Sequence, residues 1–444
     1  MSIEKRYEDV LKIFERPDLE PKISDYLPFY HENILYTTVL KNFLYPYEFT
    51  GWKDEQLSWK KTCYIHGGLN PSPLYRFSGK EAEKFLSKYC VNTFSKFPVY
   101  SGKHCITCDE EGYITSDGVI LKTAEDEFET YWMWSLVIAM KNEEGNYDLE
   151  FKDLTNDKFL FQVGGPNSFK VLNSVTDDGL EDVKFMRFIN TRIDGKEVRI
   201  VRLGMAGSLA YEVHGNISDA KSIYDTIYKA GIEYGIRRLG WHTYMMQHTE
   251  NGFPQFGDHF MMKLPGSPSN KGNVVGSIGK EATGYANPVE LGWKKTIKFD
   301  HDFIGRKALE KLVENQTRDM VSLEWNTEGI LDVYASRFIE GETYKDFDEV
   351  NDMIYKGIGT VLHQDKVVNA QGDLIGVSSG RVYTYYYKKM ISLCSLDLEY
   401  CQPGTEVIII WGEPNMIQKK IRATVSRFPY YDENRNQSFD VAIK

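Results

Sequence analysis

Arg202-Leu-Gly-Met-Ala-Gly-Ser-Leu-Ala-Tyr-Glu-Val-His-Gly215 reads as a strand running into a glycine-rich turn, then a second strand that returns with Tyr211 and Glu212. The alternation starts at Lys196 and continues to Val213, with the join at 204–207. A carboxylate held on a rigid strand beside a glycine turn can accept two N–H groups from a flat heterocycle. The plainer alternative is a solvent-exposed glutamate in a hairpin.

Working outward, 159–163 is a strand, 164–167 a Gly-Gly-Pro-Asn turn, and SFKVLNSV a helix. Ser218 and Asp219 cap a helix carrying Ile223, Ile227 and Ala230. Two further segments concentrate polar and aromatic residues. Trp241 to Asp258 crowds Tyr244, His248, Glu250 and Phe253 onto a helix-to-loop stretch, and it reads equally as an amphipathic helix stopped at Gly252. Asn287 to Arg306 reads as a strand, a turn and a helix capped by Asp302. Elsewhere, helices are expected at Ile3 to Phe14 and after Gly79, the latter with Ala82, Phe85, Leu86 and Cys90 on one face. An antiparallel meander is expected between Val99 and Met133. The polar, glycine-rich stretch from Leu264 to Tyr285 is a long loop, either disordered or functional. Composition turns β-rich near residue 316, which divides the chain into units 1–316 and 317–444.

At 444 residues the chain is too long for one ordinary core. Lys and Arg number 53 against 64 Asp and Glu, and a net charge of −11 disfavours a nucleic-acid partner. No apolar run approaches a bilayer span, so no membrane role is expected. The N-terminal MSIEKRYEDV is charged throughout and lacks the apolar core of a secretory signal. Six cysteines are too sparse for a disulfide scaffold, and together these features point to the cytoplasm. Cys105 and Cys108 form a single CxxC after His104, and four metal ligands cannot be assembled around it, so no metal is expected. Walker A, Rossmann and HExxH patterns are absent. GVSSG at 376–380 matches the hydrolase elbow, but a strand follows it instead of a helix. Aromatic residues make up 14%, enough both to fill cores and to line a pocket for a flat ligand.

The segments above, taken in order, resemble the aminomethyltransferase (glycine cleavage T-protein) superfamily. The motifs are FQVGGP at 161–166, R-x-G-x-x-G-x-x-x-Y-E at 202–212, E-x-G-x-x-x-x-G-D at 250–258 and NPVELGW…KFDHDFIGR at 287–306. Within it the chain is most similar to the tetrahydrofolate-dependent aryl O-demethylases of vanillate and syringate type, through EFTGWKDEQLSW at 48–59, FDHDFIGR and IIIWGEP. The resemblance implies an α+β, multidomain cloverleaf around a central folate channel, with a β-rich C-terminal domain. It implies tetrahydrofolate as the methyl acceptor. It places Glu212 on the pterin, with Gln162, Val163 and Tyr211 beside it and Phe253 packed on the folate. It puts Tyr244 at the demethylase active site and Asp117 near the family's acidic residue.

Two departures stand out. The histidine that the family carries after the Trp59 helix is missing where this chain reads HGGLNP, leaving His66 or His248 to substitute and Asn70 at the pocket. The position of the demethylases' carboxylate-binding arginine is Met133, next to Trp132. The expected donor is therefore a methylated, aromatic, uncharged small molecule. The implied activity is transfer of its methyl group to folate N5, giving 5-methyltetrahydrofolate, with Tyr244 donating to the leaving oxygen. The alternatives are a glycine-cleavage aminomethyltransferase, whose lipoyl-protein partner the acidic insertions disfavour, and a non-catalytic folate-binding protein.

Overall fold

Three sheets and one buried helix place the site. The structure, a computed structural model, describes residues 36–40, 43–67, 73–204, 207–266, 269, 271, 273–341, 343–347, 354–356, 359–433 and 435–441. The helix expected at Ile3 to Phe14 lies outside them.

The first sheet has six strands in the order Phe188–Ile193, Lys196–Val201, Ala210–Asn216, Lys158–Gly164, Cys63–Gly67 and Ile236–Arg238, antiparallel except for the last pair. Its hairpin is the one read from the sequence, with Val201 opposite Glu212. One face carries Ile65, Phe161, Val163, Tyr211 and Val213 into a core with the helix Ala220–Gly231. Ile223 and Ile227 face that core, as their spacing predicts.

The meander forms as expected. Ser101–Cys108, Ile114–Ala124 and Glu127–Tyr131 join Leu74–Ser78 and Glu150–Asp153 in a five-stranded antiparallel sheet. The helix Ala82–Tyr89 covers it, with Ala82, Phe85 and Leu86 buried in its core.

After the helix Arg306–Glu314, the strands Arg318–Trp325, Lys389–Asp397, Leu374–Thr384, Gly359–Val368, Glu406–Trp411 and Lys419–Ser426 pair in a ring. Pairing of the fourth with the fifth closes it, so this barrel of six strands has no free edge. Leu323, Trp325, Trp411 and Ile421 fill its inside. Ser378 of GVSSG lies within a barrel strand and shares a hydrogen bond with Ser392 at 2.8 Å, so it is no nucleophile elbow. One cap differs from the sequence reading. The helix expected from Asp302 starts at Arg306, with Gly305 at the N-cap position in a left-handed conformation, φ 87°.

The helix Trp241–Asn251 is buried along all eleven residues and is not amphipathic. Its polar side chains are answered inside the protein. Thr249 donates to the Gly380 carbonyl at 2.6 Å, Trp59 Nε1 donates to Glu250 at 3.0 Å, and Lys60 pairs with Glu250. At the other end Glu55 accepts from the backbone N–H groups of Phe49, Thr50 and Gly240 and from Thr243 Oγ1. Gly252 stops the helix in the left-handed conformation. The chain then returns from the barrel. Tyr431 donates its N–H to the Glu250 carbonyl, Asn436 Nδ2 reaches the Ala210 carbonyl at 3.0 Å, and Val441 enters the core of the six-stranded sheet.

Candidate active site

Sheet register builds one wall of the site. His66, Gln162 and Glu212 are directly opposed on three neighbouring antiparallel strands. Alternation sends their neighbours Ile65, Val163 and Tyr211 to the other face. Tyr64, two residues before His66, shares its face and stacks parallel to it at 6.0 Å. Tyr64 donates its O–H to Gln162 Oε1 at 2.8 Å, and His66 Nε2 approaches the same oxygen at 3.3 Å. Close approach is possible because residue 164 is glycine; a Cβ there would stand 2.5 Å from the Tyr64 ring.

The buried helix supplies the facing wall. Tyr244, Gln247, His248 and Asn251 recur at helical spacing on one side of it. Tyr244 meets His66 edge-on at 4.9 Å and His248 edge-on at 5.6 Å. Tyr64 also reaches Gln247 Oε1, at 3.4 Å. A carbonyl only accepts, so His248 Nδ1–H donates to Phe253 O at 3.3 Å and its Nε2 carries the lone pair. By the same reasoning, donation from His66 Nε2 to Gln162 leaves Nδ1 bare. Both bare nitrogens, and Gln247 Nε2, are buried without a hydrogen-bond partner among the described residues.

Burial decides the charges. It pushes the His66 imidazole down to about 3 and that of His248 down to about 4, so both are neutral at pH 7. Burial, aided by the charge of Glu212, pushes the Tyr244 phenol well above its ordinary value, so it stays a proton donor.

A cavity of about 470 Å³ opens beside these walls. Phe253 and His104 line it, and each packs on Trp293, at 5.5 and 5.0 Å. His104 Nε2 lies 3.2 Å from Asp117 Oδ2, which brings Asp117 to the cavity wall through an imidazole. Gly204 also lines the cavity, and its Cβ position is 3.7 Å from the Gln162 amide nitrogen. Lys103, Lys298 and Arg435 add three cations, the last delivered by the returning C-terminal segment. Gly207 sits where that segment crosses. It has φ +68°, and a Cβ there would lie 2.3 Å from Asn251 Oδ1 and 2.5 Å from Arg435 Nη1.

The structure therefore brings Glu212, Gln162, His66, Tyr244 and His248 together, with Phe253 and Asp117 along the cavity. The expectations for Tyr211, Val163 and Met133 change. Tyr211 and Val163 face the core of the six-stranded sheet, because they alternate with Glu212 and Gln162. Met133 is packed with Phe77, Phe85 and Leu136 in the core of the five-stranded sheet, so it is a packing residue and no pocket wall. Trp132 is half-buried at φ +65°, where the chain turns from a strand into the helix Trp134–Asn142. Asn70 lies outside the described residues. Residues the sequence reading missed are Tyr64, Gln247, His104, Arg435 and His214. Tyr64 and His214 each stand two residues from a recognised one on the same strand, a spacing that marks them. Arg435 carries no local signal.

Residues 70–263 match the GCVT N-terminal domain. A sesamin methylene transferase from Sinomonas sp. (strain No.22) is 37% identical over 421 residues, covering 89% of this chain and 92% of that protein. The chain belongs to the aminomethyltransferase superfamily. A syringate O-demethylase from Sphingobium sp. (strain NBRC 103272 / SYK-6) is 29% identical over 422 residues, covering 87% of this chain and 89% of its own. The glycine cleavage system aminomethyltransferase T from Bartonella henselae has the same fold, with a TM-score of 0.69 over 91% of this chain and 96% of that one at 15% identity.

As a member of this superfamily, placed near its aryl O-demethylases, the chain is a folate-dependent one-carbon transferase acting on a small molecule, and its cofactor is tetrahydrofolate. The site fits that group. A flat ring with N–H donors needs a buried acceptor, and Glu212 is a buried carboxylate with no donor to Oε1 among the described residues. The aromatic walls suit the rings, and the three cations suit the carboxylates of a glutamyl tail.

Proposed function

We propose that this aminomethyltransferase-family protein is an aryl ether demethylase that moves a methyl group from an uncharged methoxy-aromatic molecule to folate N5. Bound tetrahydrofolate supplies the acceptor amine. Glu212 and Gln162 hold its flat edge and Phe253 packs on it, so the amine is aligned with the methyl carbon, which is most of what an in-line displacement needs.

The observation that carries the reading is the meeting of the Tyr244 phenol with two neutral imidazoles opposite Glu212. The C–O bond breaks as Tyr244 donates to the departing oxygen, a stabilisation that matters only as negative charge develops there. An acceptor amine that gains a methyl group must also lose a proton, and that proton would be acidic. The bare nitrogen of His66 or His248 would take that proton and return it to Tyr244, replacing the one Tyr244 gives to the aryl oxygen, so one net proton passes from amine to phenol. Asp117, held by His104 at the cavity wall, is the second candidate for that proton.

A second reading is favoured by the 37% identical methylene transferase: the one-carbon unit taken is the methylene of a methylenedioxy ring. Here two aryl oxygens leave and two amine protons replace the carbon, a task for which two bare imidazole nitrogens are suited. Incubating the protein with tetrahydrofolate and a panel of methoxy- and methylenedioxy-arenes separates the readings. Accumulation of 5-methyltetrahydrofolate supports demethylation, and 5,10-methylenetetrahydrofolate supports the second reading. Folate binding with no product across the panel overturns both.

A further inference from the structure

Behind Glu212 runs a chain of polar contacts that the proposed reaction does not use. His214 stands two residues along the same strand, and its Nε2 lies 3.1 Å from Glu212 Oε2. Its Nδ1 lies 2.9 Å from the Tyr131 hydroxyl, across the gap to the five-stranded sheet. That hydroxyl is 3.3 Å from Glu129 Oε2, and Arg76 and Arg199 clamp Glu129, Arg76 at 2.8 Å. Glu212, His214, Tyr131 and Glu129 are all buried.

Counting protons fixes the direction of these bonds. Glu129 is an acceptor only: burial pushes its carboxyl up, but the charges and hydrogen bonds of Arg199 and Arg76 outweigh this and hold it at about 2. Tyr131 has one proton to give, to Glu129 or to His214. If it goes to His214 Nδ1, the ring's own proton is on Nε2. If it goes to Glu129, Nδ1 must donate to Tyr131. The contact between Nε2 and an ionised Glu212 then requires a proton on both nitrogens. Either way Nε2–H points at Glu212 Oε2. Burying such a chain costs desolvation that apolar residues of equal volume would avoid, and its return is a fixed geometry.

We infer that His214 is the positioning residue of the pterin carboxylate, held in turn by Tyr131 and Glu129. Its N–H takes one face of Oε2 and locks the Glu212 rotamer, leaving Oε1 free for the ring's N–H groups. The inference rests on the reading that Glu212 binds the pterin.

The test is a titration of the full chain with tetrahydrofolate under anaerobic conditions, followed by tryptophan fluorescence, with a thermal melt of every variant. His214→Leu is expected to weaken binding about tenfold or more, the scale of losing a hydrogen bond to a charged group. His214→Gln keeps an N–H for Glu212 and should restore affinity to within about threefold. Tyr131→Phe should weaken binding a few-fold in the wild type and add little on top of His214→Gln, because the two act in series. Rescue by glutamine and this non-additivity are effects that a packing role would not produce. If Glu212→Gln loses folate while His214→Leu binds as the wild type does, the role of His214 is overturned. If Glu212→Gln itself binds normally, the pterin reading falls instead. Should His214→Leu fail to fold, additive effects of Tyr131→Phe and His214→Gln would overturn the inference just as well.

Discussion

The Tyr244 ring meets the His66 imidazole edge-on, with centroids 4.9 Å apart and planes at 69°. One residue comes from the buried helix and the other from the six-stranded sheet, so the phenol is packed between two elements of the core. The Gln255 side chain is hydrogen-bonded to the Tyr244 hydroxyl and helps to orient it, while burial keeps the phenol protonated.

Tyr244→Phe keeps the ring and removes that proton. Turnover should fall about a hundredfold, at the lower end of acid catalysis, while folate affinity changes by less than about twofold. Single-turnover rates and a folate titration separate the two effects. An unaffected rate would remove Tyr244 from the chemistry.

Glu212→Ala removes the carboxylate proposed to hold the pterin edge. Folate binding should be lost, measured by titration well below the melting temperature. The six-stranded sheet should stay intact, because Glu212 is on its site face and not in the apolar core. Unchanged affinity would sink the assignment.

Acid should destabilise the protein through its buried imidazoles. His66 and His259 are held near 3 and His248 near 4, in each case first by burial, against about 6.5 in the unfolded chain. Between those values the unfolded state binds more protons. The stability is therefore complete above about pH 6.5 and is lost as pH falls toward 4, by about 1.4 kcal/mol per pH unit for each imidazole. Urea unfolding at pH 7, 6 and 5 measures the slope. A flat profile would mean that these rings are charged or solvated in the folded protein.

Gly207→Ala should cost about 1–3 kcal/mol, since residue 207 has φ +68° and the new methyl would strike Asn251 and Arg435. Because both lie on the cavity, the folate KM should rise with the loss of melting temperature. A variant as stable as the wild type, with the same KM, would show that the crossing of the C-terminal segment is loose.

Lys298 is exposed at the cavity and has no ion pair among the described residues. Lys298→Glu should raise the folate KM several-fold at low salt, with the gap closing as ionic strength approaches 1 M and the screening length shrinks to about 3 Å. A salt-independent difference would place the cofactor's carboxylates elsewhere.

Local physics wrote several features into the sequence. The hairpin at Glu212, the stop at Gly252 and the apolar faces of the helices Ala82–Tyr89 and Ala220–Gly231 follow from period and turn chemistry alone, which act over a few residues. The motif order was equally legible, and it carried the family and its cofactor. Which face of a strand looks into the site was not decided locally. Tyr211 and Glu212 are neighbours, yet sheet register and the core under it sent one inward and one to the channel. Met133 went to the core for the same reason. The buried helix looked amphipathic in sequence because its polar residues find partners as distant as Lys60 and Gly380. Arg435 reaches the cavity only because the chain returns from the barrel. The sequence by itself determined the local elements and the family. Tertiary structure alone decided which side chains share the channel, because pairing register and long-range closure are set by packing between segments hundreds of residues apart.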